Sequence, residues 1–210
     1  MAQERILWYC ADPMCSWCWG FTPAISAIKA SYSDRVKIAL MLGGLRPGTT
    51  EPVTPKFREE TLRHWQDVHK MTGQPFAFEG AMPEGFVYDT EPASRAVIAV
   101  AGINPEATFP YFKSVQEAFY TQGQDVTKTK TLAELAEQHN IDKPRFLERF
   151  ESEDLKNKTR THFRITREAG VRGFPTIVLQ AGSGHKLLTN GCRPLEELRP
   201  ELEAWLTETA

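Results

Sequence analysis

At 210 residues with 41% hydrophobic side chains, the chain has apolar mass for one core with a sizeable insertion or for two small lobes. Its 25 Lys and Arg against 27 Asp and Glu give a formal net charge of −2, which argues against a basic nucleic-acid footprint or a polybasic membrane patch. No apolar run reaches a membrane span, and Met1-Ala2-Gln3-Glu4-Arg5 carries no cationic n-region before a stretch too short for a signal core, so a cytoplasmic location is expected, where cysteine pairs are usually catalytic or redox-sensing rather than structural.

The predicted elements follow in chain order. Arg5 to Cys10 reads as a strand, and Trp17 to Tyr32 as a helix with Phe21, Ile25 and Ile28 at helical spacing. Val36 to Leu42 alternates and then runs apolar, as a strand entering a buried sheet does, and Gly43-Gly44-Leu45-Arg46-Pro47-Gly48 ends it in a loop. Thr54-Pro55 supplies an N-cap and first position for a helix to about Met71, stopped by Gly73. Gln74 to Tyr88 has no clear period. Helical patterns resume at Glu91 to Ala101, Pro105 to Thr121, Thr131 to His139, Pro144 to Phe150 and Ser152 to Ala169. Strand signal returns at Thr176 to Gln180, and the turn Gly182-Ser183-Gly184 joins it to His185 to Thr189 as a hairpin. Pro194 to Thr207 closes as an amphipathic helix bearing Leu195, Leu198, Leu202 and Trp205. Strand–helix–strand, a block of helices, then hairpin and helix is the α/β order of a thioredoxin fold with an inserted helical domain. Residues 1–53 and 170–210 are expected to form the thioredoxin-like domain and residues 54–169 the insertion. The first two strands should pair in parallel through a right-handed crossover, and the hairpin should add antiparallel strands.

Cys15-Ser16-Trp17-Cys18 falls at the first strand-to-helix junction. There the unpaired backbone N–H groups and the helix macrodipole favour a thiolate on the first sulfur. The second cysteine, about one turn later, is in reach to resolve a mixed disulfide. Cys15 is therefore the candidate nucleophile and Cys18 the candidate resolving thiol. The competing use of such a pair is half of a zinc site. That needs four ligands, yet Cys10 and Cys192 are solitary, and His64 and His69 stand five residues apart, off the i, i+4 spacing that puts two imidazoles on one helical face. No metal and no cofactor is expected.

Asp12-Pro13-Met14-Cys15-Ser16-Trp17-Cys18-Trp19-Gly20-Phe21, together with Gly170-Val171-Arg172-Gly173-Phe174-Pro175-Thr176 before the hairpin, resembles the DsbA family of thiol–disulfide oxidoreductases, and within it the cytoplasmic FrnE-like branch of protein-disulfide isomerase type. The resemblance covers essentially the whole chain. It implies a cis Pro175 packed against the dithiol, leaving a neighbouring backbone free to pair with an extended substrate segment. Phe174, a large apolar ring just before that proline, is expected to favour apolar substrate segments or to shield the sulfurs, and Trp17 and Trp19 are expected to line the groove, the alternative being core. A cis bond is compatible with the small cis penalty of an X-Pro peptide, roughly 0.5–1 kcal/mol; the alternative is a trans proline opening an edge strand. Family members with Pro-His between the cysteines use the histidine to stabilise the thiolate. Trp17 cannot, so a more reducing dithiol is expected, suited to a reductase or isomerase role on protein or low-molecular-weight disulfides and recharged by glutathione or thioredoxin.

Cys10 reads as a small buried side chain. Cys192, in the turn Asn190-Gly191-Cys192-Arg193-Pro194, either approaches the dithiol as an auxiliary thiol or is inert. Phe76, Phe78 and Phe86 fit a core or a groove. His162 and the basic run Lys156 to Arg167 read as a solvated helix face. Two other functions fit a DsbA-like chain: a glutathione-dependent transferase or isomerase of the kappa or hydroxychromene carboxylate isomerase type, in which a serine near the helix N-terminus activates glutathione, and a non-enzymatic redox-sensing binding protein. Retention of both cysteines argues against the first.

Overall fold

The computed structural model describes residues 4–208; Met1 to Gln3, on which the expectation of no leader partly rests, lie outside the described residues. The strands are β1 (Arg5–Ala11), β2 (Lys37–Leu42), β3 (Thr176–Ala181) and β4 (Gly184–Asn190). The helices are α1 (Ser16–Tyr32), α2 (Pro55–Thr72), α3 (Glu91–Ile103), α4 (Thr108–Tyr120), α5 (Thr129–Glu137), α6 (Lys143–Glu151), α7 (Glu153–Glu168) and α8 (Leu195–Thr207). One four-stranded sheet has the order β2-β1-β3-β4. The β1–β2 pair is parallel from Ile6 opposite Lys37 to Ala11 opposite Leu42, whereas β1–β3 and β3–β4 are antiparallel. Ala181 opposite Gly184 leaves Gly182-Ser183 as the two-residue hairpin turn, with Gly182 at φ 54°.

Local chemistry sets several element ends. The Thr54 side chain accepts from the Phe57 N–H at 3.1 Å, Pro55 occupies the first helical position, and Gly73 stops α2 in the left-handed region at φ 72°. Asp142 caps α6, and Ser152 caps α7. The helix expected over 105–121 begins instead as a 3₁₀ turn, Pro105–Ala107, capped by Asn104; the α-helix proper starts at Thr108.

Packing then joins the sheet to the helices. Leu7, Tyr9 and Ala11, on one face of β1, are fully buried, and the Tyr9 ring lies 5.8 Å from Phe21 of α1 and 6.2 Å from Phe112 of α4. The aperiodic stretch 74–88 takes its order from tertiary contact. Phe76, Phe86 and Tyr88 join Trp65, Phe119 and Tyr120 in an aromatic cluster whose ring centroids stand 4.9–6.0 Å apart.

His162 departs from the sequence reading. It is tucked between α7 and the edge strand β2, where the Leu42 N–H donates to its Nδ1 over 3.4 Å and Thr166 of the same helix donates to the Leu42 carbonyl at 3.2 Å. Burial, with the Lys158 charge adding to it, pushes the imidazole down to about 4 from 6.5. A base depressed in the folded state contributes stability that is complete above its unfolded value and lost as pH falls through the folded one. Between pH 6.5 and 4 the unfolding free energy of the wild type is therefore expected to drop, relative to His162→Gln, by up to about 3 kcal/mol. Urea denaturation at a series of pH values checks this; parallel pH profiles for the two proteins contradict it.

Candidate active site

β1 delivers the chain to a tight turn at Asp12, where Asp12 Oδ1 accepts from the Met14 N–H at 2.8 Å and the Asp12 carbonyl from the Cys15 N–H at 3.1 Å. Cys15 is the N-cap of α1, with extended φ, ψ of −91° and 117° and no side-chain cap on the first-turn N–H groups. The helix thus opens with free donors and its positive dipole end beside the Cys15 sulfur, an arrangement that favours negative charge there. Cys15 Sγ lies 3.5 Å from the Phe174 carbonyl oxygen, to which the thiol donates. It is 5% exposed, whereas Cys18, one turn deeper, is fully buried. Burial pushes the Cys18 thiol well above its ordinary range, and the neighbouring Cys15 and Asp12 charges push the same way. The Tyr9 phenol beside Cys18 is likewise raised, chiefly by burial, so Cys18 is held protonated until a base acts. All four cysteines are free thiols.

Asp12 was not singled out by the sequence and is the most consequential residue it missed. It is fully buried, and its second oxygen, Oδ2, accepts from the Leu45 N–H at 2.7 Å, so one carboxylate ties the cysteine turn to the loop after β2. Burial pushes its carboxyl up to about 6, against the opposing effect of the Leu45 and Met14 N–H groups. An Asp-Pro step ahead of the cysteines announces a turn in the sequence; the burial comes from the 43–45 loop folding over it.

The residues expected around the dithiol are placed as follows. The Phe174–Pro175 bond is cis, Pro175 is buried, and its carbonyl accepts from the Gly191 N–H at 2.8 Å. Phe174 presents its carbonyl to Cys15 and packs its ring on Gly43, where an added Cβ would overlap the ring at Cζ. Trp17 is half-buried and lines a pocket of about 350 Å³ beside Cys15, with Ser16, Leu45, Arg46 and Phe57. Trp19, expected in the groove, is only 3% exposed and absent from that lining. Its ring stacks on Tyr120, its Nε1 donates to the Pro75 carbonyl at 2.9 Å, and its carbonyl accepts from Gln74 Nε2 at 3.0 Å. Pro23 within α1 lacks an N–H and so leaves the Trp19 carbonyl free to accept from Gln74.

Cys10 is buried in the centre of the sheet, opposite Thr176 and Met41, and burial pushes its thiol up to about 11. Cys192 is half-buried; burial and the nearby Cys15 charge push it to about 11 as well. Among the described residues no three His, Cys, Asp or Glu side chains gather as metal ligands, and no helix is long and apolar enough to cross a membrane.

The Gly43 contact carries a prediction. In Gly43→Val the added methyls overlap the Phe174 ring, so the ring, and the carbonyl that meets Cys15, must shift. A stability loss of about 1–3 kcal/mol is expected, together with an altered alkylation rate at Cys15. Wild-type values for both the urea midpoint and that rate would contradict the contact.

Comparison with known proteins adds the following. The sequence model of the DSBA-like thioredoxin domain family matches residues 7–203. The fold is similar to that of a candidate protein disulfide isomerase from Nitrosomonas europaea (44% identity, TM-score 0.94, covering 99% of this chain and 100% of that one). It is also similar to the cytosolic disulfide reductase DsbM from Pseudomonas aeruginosa (27% identity, TM-score 0.81, covering 96% and 98%), which has been solved with GSH too. A curated relative, the ClpXP adapter protein SpxH from Halalkalibacterium halodurans, is 23% identical over 173 residues; the match covers 80% of this chain and 56% of that protein's length.

Proposed function

The chain belongs to the DSBA-like thioredoxin domain family, and from that premise we propose that it is a thiol–disulfide oxidoreductase in which Cys15 and Cys18 form the redox-active dithiol. The observation that carries this reading is the unequal pair at the start of α1: an uncapped Cys15 at the helix N-terminus against the 350 Å³ pocket, and a fully buried, protonated Cys18 one turn behind it.

The exchange runs in two steps. The Cys15 thiolate attacks one sulfur of a substrate disulfide in line, forms a mixed disulfide and expels the first substrate thiolate. Cys18 then gives up its proton and attacks the Cys15 sulfur, expelling the second substrate thiolate and leaving a Cys15–Cys18 disulfide; two electrons have passed to the substrate. Asp12, next to Cys18 and with its carboxyl at about 6, is ionised at neutral pH and is the proton acceptor for the second step. Trp17 and the Phe174–Pro175 backbone border the place where an extended substrate segment lies. The likeness to a cytosolic disulfide reductase, together with its complex with GSH, supports a reducing role in the cytoplasm with glutathione as reductant: two glutathione thiols give glutathione disulfide as the dithiol is restored.

Titration against glutathione buffers of graded ratio, with free thiols counted by alkylation and peptide mass, tests the assignment. A single two-electron transition confined to Cys15 and Cys18 is expected. Pairing of Cys15 with Cys192, or a dithiol that never oxidises, overturns it.

A further inference from the structure

A second pocket, of about 490 Å³, opens on the far side of the loop that covers Asp12. Leu45 and Arg46 of that loop line the cysteine pocket, and the next two residues, Pro47 and Gly48, line this one. Its other walls are α7 and the first turns of α3. They present Arg95, Lys156, Arg160, Arg164 and Arg167 against a single carboxylate, Glu91, in a chain whose formal net charge is −2.

Three of the five cations are paired with carboxylates in place, and Arg160 and Arg167 are not among them. Arg95 is committed: it is 11% exposed, 3.0 Å from Glu91, stacked 4.0 Å from the Phe150 ring centre and bonded to the Phe150 carbonyl at 2.8 Å. Lys156 and Arg164 pair with Glu153 and Glu168, each at 2.8 Å, along the same helix. Arg160 reaches only the amide oxygen of Asn157 at 2.7 Å, and Arg167 has no carboxylate within 4.0 Å among the described residues. Position in the last turn of α7, where a cation complements the macrodipole, accounts for Arg167 alone.

The four α7 residues stand at spacings of four, four and three, so they form one stripe along the helix. At about 1.5 Å per residue the stripe is roughly 17 Å long, about the length of five extended residues. A long cationic stripe with a rigid arginine at one side suits carboxylates spaced along a chain better than one compact anion. Phe163 also lines the pocket, with Gly44 packed against its ring, where an added Cβ would sit 2.8 Å away.

We propose that this pocket docks an acidic, extended segment of a protein substrate, held beside the disulfide that Cys15 attacks. The proposal rests on the exchange reading for its purpose, and its binding test is independent of that chemistry. The probe is a fluorescein-labelled, cysteine-free hexaglutamate peptide followed by anisotropy on the full chain. Saturable binding is expected, weakened about tenfold or more in Arg160→Glu/Arg167→Glu and by about 0.5 M salt, with a smaller loss in Arg160→Gln/Arg167→Gln. Both variants alter exposed side chains only, and their urea midpoints report that they fold. Equal binding by the charge-reversed variant overturns the proposal. So does displacement of the peptide by inorganic phosphate at matched charge, or tighter binding of an oligonucleotide of the same charge. In turnover, a disulfide peptide flanked by glutamates is expected to exceed its serine-flanked counterpart in kcat/KM by about fivefold in the wild type and not in the charge-reversed variant, while reduction of hydroxyethyl disulfide is the same in both. A wild type that binds the peptide but reduces none of these disulfides would count against the exchange reading and leave the docking site standing.

Discussion

Cys15→Ser is expected to lower disulfide turnover by roughly three orders of magnitude or more, because Cys15 carries the sulfur at the pocket, whereas Cys18 is fully buried and held protonated. Cys18→Ser is expected to lose turnover as well, by a different route. Its Cys15 still attacks, but the buried resolving thiol is gone, so the protein accumulates as a covalent adduct with its substrate. Insulin reduction gives the turnover, and intact-protein mass gives the adduct. Residual turnover in Cys15→Ser near the wild-type level would point to a thiol-independent, transferase-like chemistry. An adduct carried on Cys192 in Cys18→Ser would move the nucleophile to the turn before α8.

The second large effect is expected at Asp12. Its folded-state value of about 6 lies above the unfolded 3.8, so the folded protein favours the protonated carboxyl. That contribution is fully present below the unfolded value and is lost as pH rises through the folded one. The unfolding free energy of the wild type relative to Asp12→Asn is therefore expected to fall by about 3 kcal/mol between pH 4 and 6 and to stay level above. The Asp12→Asn substitution would add a constant cost of about 1–3 kcal/mol, since the single carbonyl oxygen of an amide cannot accept from both the Met14 and Leu45 N–H groups. This titration runs opposite to that of His162 across nearly the same range. The two offset each other in the wild type, and the single variants tilt its pH profile in opposite senses. Catalysis separates a proton acceptor from a mere brace. The rate of mixed-disulfide resolution should lose its acid limb near pH 6 in Asp12→Asn, whereas a purely structural role would slow the reaction without moving the limb.

Much of the fold was legible because its boundaries rest on short-range chemistry. The Thr54-Pro55 start, the Gly73 stop and the Gly182-Ser183 turn are each fixed by residues within a few positions, and the alternation of Leu7, Tyr9 and Ala11 announces the buried face of β1. Within the candidate site, Cys15 could be placed at the helix N-terminus from an apolar run followed at once by a helical pattern. What stayed hidden depends on contacts made across the chain. Trp19 looks like a groove residue until its ring stacks on Tyr120 and its Nε1 meets the Pro75 carbonyl. Phe174 looks like a shield for the sulfurs until Gly43 offers its ring a place to pack. Asp12 and His162 are ordinary polar residues in sequence, and they acquire their shifted titrations only when the segment from Leu42 to Leu45 folds between them. The basic run of α7 reads as a solvated face because nothing in it reveals that Glu91, Arg95 and Pro47 close the other walls.

The most direct test of the division of labour between the two cysteines is the alkylation of the reduced wild-type protein with limiting iodoacetamide, read residue by residue as peptide mass. Cys15, at the uncapped helix start, is expected to react first and Cys18, fully buried and held protonated, to react only on unfolding. Equal labelling of the two, or preference for Cys18, would contradict the account.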